Sequence, residues 1–285
     1  KKWRMTGEEI QEAIDCVAQG EGEEARLVPV ISTAKAEGFL AQVAEEVAVP
    51  VYNATWETNG ETARVIEASS GRELDHGKTA VALTQAAKAT SNRVAEAVIA
   101  EIKPERTTEK AQSMGIVSAI GRFQTEFEGT ANRIANIARA AELINGTLLA
   151  PGEEFSFNHV VGERTEERGF HSAKVVAPDG TLQDDLGGGI CQVATTIFNA
   201  AFMAGLEITE RKNHSLYFDT YPKGRDATVS WNGPDLRFIN DTEEWILIRA
   251  AATKTTLLFV IYGTPDGRTV TYSTSGWYQV ETQGS

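Results

Sequence analysis

Cysteine is scarce in this chain. Cys16 and Cys191 are the only two in 285 residues. They lie far apart, so no disulfide framework is expected. Histidine is nearly as scarce, with four residues, His76, His159, His171 and His214. No close-spaced Cys/His pair marks a zinc centre, and neither a metal nor a cofactor is expected. The sparse alternative is a three-ligand zinc site of Cys191, His214 and Asp184 or Asp185, which no spacing supports. No apolar run is long enough to span a bilayer. Basic charge is also short, with 27 Lys and Arg against 40 Asp and Glu and a net charge of −13. Nucleic acid is therefore not an expected partner, because phosphate binding needs a cationic face. A chain this acidic also repels anionic wall polymers, so a wall ligand needs local basic or aromatic contacts. The chain opens at Lys1-Lys2-Trp3 with no leader and stops at Gln-Gly-Ser. It reads as an excised fragment, and any membrane contact is expected only through a segment outside it.

Glycine is what the chain concentrates. Residues 187–192 read Gly-Gly-Gly-Ile-Cys-Gln, directly ahead of a helical run over 192–204. Val193, Ile197, Ala200, Ala201 and Ala204 recur there at helical spacing, and Gly205 is a natural stop. Three glycines allow backbone angles closed to other residues and deliver Cys191 to the first helical turn. Unpaired N–H groups and the helix dipole at that end favour a thiolate. The competing reading is a small apolar plug under a glycine turn.

The length suits about two domains. Thr6–Glu9 fits a capping box, followed by Ile10, Ile14 and Val17 at helical spacing and a stop at Gly20. The first region continues with a strand over 26–31 and a helix over 33–48. Strands over 51–56 and 62–67 are joined through Asn59-Gly60. A helix over 78–88 and a strand over 94–102 follow. Residues 104–129 read as a connector. Thr130–Ile144 is an amphipathic helix, capped by Thr130 and stopped by Asn145-Gly146. After the Cys191 helix, short β runs at 227–231, 236–240, 245–250 and 257–262 predict an antiparallel meander. The fold class expected is α+β in two domains, the second with a Cys-bearing helix packed on an antiparallel sheet, of papain- or transglutaminase-like character.

A cysteine nucleophile needs a base, and the base needs an orienting group. His214 follows Cys191 by 23 residues and Asp226 follows His214 by 12. Helix-borne Cys, then His, then Asp is the order used by papain-like and transglutaminase-like acyl-transfer enzymes. Each residue also has a plain structural reading, His214 as a hydrogen-bonded side chain and Asp226 as a strand-start cap. Gln192 and the Cys191 backbone N–H are the candidate oxyanion donors. Arg164, Arg225, Gly188, Gly189 and Tyr221 are the candidate substrate contacts. Arg164 suits a carboxylate fork or a nearby Glu. Tyr217, Phe218, Tyr221, Trp231, Phe238 and Trp245 suggest either a sugar-stacking groove or core.

The ordered motifs Pro151–Asn158, Val161–Thr165, Gly187–Thr196, His214-Ser215, Tyr221–Val229 and Asp235–Asn240 together resemble the VanW family, over about Thr130–Gly263. The preceding stretch, roughly 30–125, is similar to the peptidoglycan-binding domain that often precedes VanW domains. The resemblance implies domains at 30–125 and 126–263. Residues 1–29 carry a helix assigned to neither, and 264–285 a hairpin or the start of a truncated module. It further implies a bacterial, extracellular, envelope-associated protein, anchored in its full-length form, whose partner is peptidoglycan or its peptide stems. The family pattern includes the positions of Gly189, Cys191, Gln192, His214, Gly224, Arg225, Asp226 and Asn240, whereas Ala194 stands where Ser is expected. The expected function is cysteine-dependent acyl transfer or hydrolysis on wall peptides. A non-catalytic wall-binding or scaffold protein is the alternative.

Overall fold

The computed structural model describes residues 1–176 and 182–276. In chain order the elements are α1 Gly7–Ala13, β1 Ile14–Gln19, β2 Arg26–Ile31, α2 Glu37–Val47, β3 Thr55–Thr58, β4 Ala63–Ile66, β5 Gly71–Leu74, α3 His76–Lys88, β6 Ile99–Ile102 and α4 Thr108–Ser113. Next come β7 Ser118–Glu126, α5 Ala131–Ile144, β8 Leu148–Leu149, β9 Glu154–Ser156, α6 Phe157–Val161, β10 Ser172–Val176, β11 Leu182–Leu186 and α7 Ile190–Ala204. The chain closes with β12 Glu207–Glu210, β13 Arg237–Ile239, β14 Ile246–Ala252 and β15 Thr256–Gly263. The fold is α+β with antiparallel sheets, as the sequence predicts.

Two compact units form, one from Lys1–Thr55 with Val65–Ala111, the other from Trp56–Arg64 with Gln112–Ser285. The first unit is built on a small core of Leu40, Val43, Leu74, Ala80 and Ile31. The capping box at Thr6 and Glu9 is present. The helix it starts ends at Ala13, not at Gly20, because Ile14–Gln19 pairs in register with Ile31–Arg26. A β-branched run with a strand partner is better satisfied in a ladder than in a helix. Buried Thr84 receives the Ile31 N–H at 2.7 Å and donates to Ala80 O at 2.8 Å, so its hydroxyl is satisfied in the core.

The second unit centres on the sheet β7-β15-β14-β8. The segment read as a connector therefore supplies an edge strand of this sheet, β7. Helix α7 lies against β7 and β15, and α5 against β14. The approach of α7 to β7 is close. A Cβ on Gly121 would stand 2.5 Å from Ala200 O and 2.6 Å from Ala204 Cβ. Glycine on the strand and alanines on the helix permit that distance. Val193, Ile197 and Ala200 are completely buried, and each large aliphatic side chain sealed there contributes about 1.5–3 kcal/mol.

The predicted meander is split. β13 leaves the main sheet and lies between β12 and β9, and of the four predicted runs only those forming β14 and β15 pair with each other. Residues 227–231 form no strand. Their extended backbone is bonded to α7 side chains and to Lys212 O instead of to a ladder. No strand forms over 264–276, and the remainder of the expected C-terminal hairpin lies outside the described residues. Among the described residues no helix is long and apolar enough to cross a membrane.

Candidate active site

Cys191 is the second residue of α7. Gly189, at φ +106°, is the N-cap, and Gly187 is also left-handed at φ +80°. These angles cost an L side chain energy and cost glycine little. Gly188 is required for a different reason. A Cβ there would meet Ala173 C and O at 2.6 Å, so the turn presses directly on β10. Asn136 fastens it, donating to Gly188 O at 3.0 Å and to His171 O at 2.9 Å. Gly188 and Gly189, expected as substrate contacts, thus owe their identity to the geometry that starts the helix.

Polar residues on α7 position the rest. Cys191, Thr195 and Asn199 stand at i, i+4 and i+8, one above another on one face. Thr195 Oγ1 receives the Ala227 N–H at 3.0 Å and donates to Ala227 O at 3.2 Å. Asn199 Nδ2 donates to Arg225 O at 2.8 Å. Cys191 Sγ reaches Thr228 Oγ1 at 3.5 Å and Val229 O at 3.6 Å. The helix so holds residues 225–229 alongside itself, and with them Asp226.

Asp226 Oδ2 accepts twice from one residue, from the His214 backbone N–H and facing ring Nδ1, both at 2.7 Å. Arg211 Nη1 lies 3.8 Å from Asp226 Oδ1 and donates to Asp226 O at 2.7 Å. The pairing fixes the imidazole and leaves Nε2 as the ring nitrogen that Asp226 does not engage. Phe218 meets the ring edge-on at 5.0 Å, and Tyr221 stacks on it at 5.8 Å. The His214 side chain is only 7% exposed.

The electrostatics match this geometry. Burial pushes the Cys191 thiol up, but its hydrogen bond to His214, the imidazolium charge and contacts with Val229 and Thr228 outweigh burial and hold it below its ordinary value. Burial pulls His214 down, yet Asp226 and Cys191 raise it to about 9. Each partner's charged form stabilises the other's, so the thiol is lowered and the imidazole raised together. Asp226 sits below the usual carboxylate range despite burial because His214 bonds and charge hold it ionised.

Of the predicted site residues, Cys191, His214, Asp226 and Tyr221 come together. Gln192 joins them in a different role. Its Nε2 is spent on Thr125 Oγ1 at 2.8 Å and Glu126 O at 3.3 Å. Its Oε1 accepts from Tyr221 Oη at 3.2 Å and Arg133 Nη2 at 3.3 Å. The side chain ties β7, α5 and the Tyr221 loop to α7 and has no free donor for an oxyanion. The Cys191 backbone N–H has no hydrogen-bond partner among the described residues.

Arg225 lies apart from these residues. Its guanidinium lies 4.2 Å from the Tyr272 ring centroid and 5.6 Å from that of Phe202. Phe202 is 11 residues beyond Cys191, about 16 Å along the helix axis. The aromatic cluster, not the thiol, holds this arginine. Arg164 is 6% exposed and donates through Nη2 to Asn158 Oδ1 at 2.7 Å, while its Nε and Nη1 lack hydrogen-bond partners among the described residues. Burial lowers it to about 10, with the Cys191 and Asp235 charges opposing that fall. Among the aromatics, Phe238 is core and Trp231 is 42% exposed. Asp184 pairs with Lys174 at 2.8 Å, and no cluster of three or more His, Cys, Asp and Glu that could hold a metal ion occurs among the described residues. Sequence reasoning missed Arg133, Thr195 and Asn199. The i, i+4, i+8 spacing of Thr195 and Asn199 from Cys191 was the available signal, and Arg133 offered none.

Residues 132–262 match the family model described as "VanW like protein", and residues 6–96 the one described as "Putative peptidoglycan binding domain". The chain is 43% identical over 144 residues to "Uncharacterized protein YoaR" of Bacillus subtilis (strain 168), covering 50% of this chain and 47% of that protein. It is 34% identical over 117 residues to "Vancomycin B-type resistance protein VanW" of Enterococcus faecalis (strain ATCC 700802 / V583), covering 39% of this chain and 42% of that protein. The chain thus spans less than half the length of these relatives. No solved structure matches it.

Proposed function

We propose that this chain, which carries a VanW-like domain behind a peptidoglycan-binding one, works at the bacterial cell envelope as a cysteine-dependent acyl transferase or hydrolase on wall peptides. One observation carries the reading: Cys191 at a helix N-terminus, His214 and Asp226 converge, with the imidazole held through Nδ1. Residues 6–96 would keep the second domain near its polymer. Cys191 Sγ attacks a peptide carbonyl, and the Cys191 N–H at the positive end of α7 receives the oxyanion. His214 passes its proton to the departing amine as the C–N bond breaks. Water or an acceptor amine then cleaves the thioester, giving its proton back to His214. Asp226 holds the tautomer and the charge of the ring throughout. Tyr221 packs the ring and is itself fixed by Gln192.

Turnover of purified muropeptides tests this. The protein is expected to release or transfer peptide fragments, and Cys191→Ala to abolish the reaction with the fold intact. Equal turnover by the folded variant overturns the proposal, and wild-type protein that binds wall material without turnover supports the scaffold alternative.

A further inference from the structure

The start of α7 carries more positive charge than a thiolate needs. Arg164 lies under one side of the glycine turn, and a Cβ on Gly187 would stand 2.8 Å from its Cγ. Arg133 lies on the other side. The same construction at Gly189 meets Arg133 Cγ at 3.0 Å and Nη1 at 3.4 Å. Arg133 Nε donates to Glu128 O at 3.2 Å and Nη2 to Gln192 Oε1 at 3.3 Å. Its guanidinium also lies within hydrogen-bonding reach of the Tyr221 side chain, Nη1 is its least engaged nitrogen, and the residue is half-buried. Arg164, a protonated His214 and a helix N-terminus therefore flank Cys191, and Arg133 lies over the adjoining N-cap Gly189, in a chain of net charge −13. The carboxylates beside them are already committed, Asp226 to His214 and Arg211, and Asp235 to Ser156, Asn158 and Arg237.

Cations are poorly placed at the positive end of a helix. A buried arginine with two unpaired donors is costlier still, since buried charges are normally paired and hydrogen-bonded. Arg164 has both features: the Asp235 charge acts on it, yet its Nε and Nη1 are left without an acceptor among the described residues, so the site can take a further anion. In the resting state the Cys191 thiolate partly supplies it. That charge disappears once Sγ becomes a neutral thioester.

We propose that Arg133 and Arg164 form a carboxylate subsite, and that the substrate is a peptide with a free C-terminal carboxylate beside the bond Cys191 attacks. The inference rests on the thiol chemistry proposed above and names its substrate class. Arg133 Nη1 grips the carboxylate from the accessible side, and Arg164 supplies a field from beneath. Sγ bonds to the penultimate residue's carbonyl carbon, the C–N bond to the last residue breaks, and the amine takes its proton from His214. The last amino acid leaves with its carboxylate unchanged. Water cleaves the thioester and returns a proton to His214.

Two alkylating probes separate this inference from the reading beneath it. Iodoacetamide is neutral and reports the thiolate alone, and iodoacetate carries the carboxylate. In Cys16→Ser protein at pH 7 the iodoacetate/iodoacetamide rate ratio at Cys191 is expected to exceed that of exposed Cys16, measured in Cys191→Ser protein. The ratio cancels any change in thiolate fraction. It should fall about tenfold in Arg133→Gln, as one charge-assisted hydrogen bond is lost, and be largely retained in Arg133→Lys. Arg164→Gln should lower it in the same direction. A ratio no higher than that of Cys16, or one unmoved by Arg133→Gln, overturns the subsite while fast iodoacetamide labelling leaves the nucleophile standing. Slow labelling by both reagents removes the nucleophile and the subsite together.

Discussion

Asp226 Oδ2 holds His214 at two points, the backbone N–H and ring Nδ1, each at 2.7 Å. One carboxylate oxygen thus fixes both where the residue starts and which way its ring faces. Asp226 is in turn held by α7, because Thr195 clamps both backbone groups of Ala227 next to it. The helix that presents the sulfur also sets the position of the acid.

Replacing Asp226 with Asn should remove the negative charge and leave the shape. His214 would fall from about 9 toward 6.5, and the thiolate fraction of Cys191 with it. Iodoacetamide labelling of Cys191 at pH 7 in Cys16→Ser protein should slow about tenfold, one pKa unit's worth. An unchanged rate would show that the carboxylate does not tune the pair.

The raised His214 pKa also predicts a pH-dependent stability. The folded group keeps its proton up to about 9 while the unfolded one releases it near 6.5. Its contribution is fully present below pH 6.5 and is lost as pH rises through about 9, at most about 3 kcal/mol in all. Urea midpoints of wild type and His214→Gln should differ most at pH 6 and converge near pH 9.5. A gap that widens with pH contradicts the pairing.

Thr195→Val should destabilise the protein by about 1–3 kcal/mol, since it strands the buried N–H and C=O of Ala227. Thr195→Ser should recover most of the loss. Urea denaturation checks both, and a Val variant as stable as Ser would show that the clamp does not matter.

Gly188→Ala distinguishes a packing glycine from a substrate contact. Its Cβ would meet the Ala173 C and O at 2.6 Å and the Ala173 Cβ at 2.8 Å, so a loss of about 1–3 kcal/mol is expected without any ligand present. Gly224→Ala has open space around its Cβ and strain only from φ +69°, and should cost less. Thermal unfolding of the two variants decides it.

Much of the site was readable because it lies on strong local signals. The glycine turn, the helix that begins at Ile190 and the Cys–His–Asp order are all chain-local, and the capping box and the Asn59-Gly60 turn were equally explicit. Tertiary satisfaction was not readable. Gln192 looked like a free amide, but its donors go to Thr125 and Glu126, far away in sequence. Arg225 sits one residue from Asp226, yet its side chain takes the opposite direction, toward Tyr272. Residues 227–231 carry β-type composition but pair with helix side chains, which no alternation pattern encodes. Arg133 is one polar residue of an amphipathic helix until Gly189 is packed against it.

The pH–rate profile of Cys191 alkylation by iodoacetamide, in Cys16→Ser protein with and without His214→Gln, tests the central claim most directly. A midpoint well below the ordinary thiol value of 9.0, moving upward when His214 is replaced, is the predicted result. A midpoint at or above 9.0 that ignores the His214 substitution would contradict it.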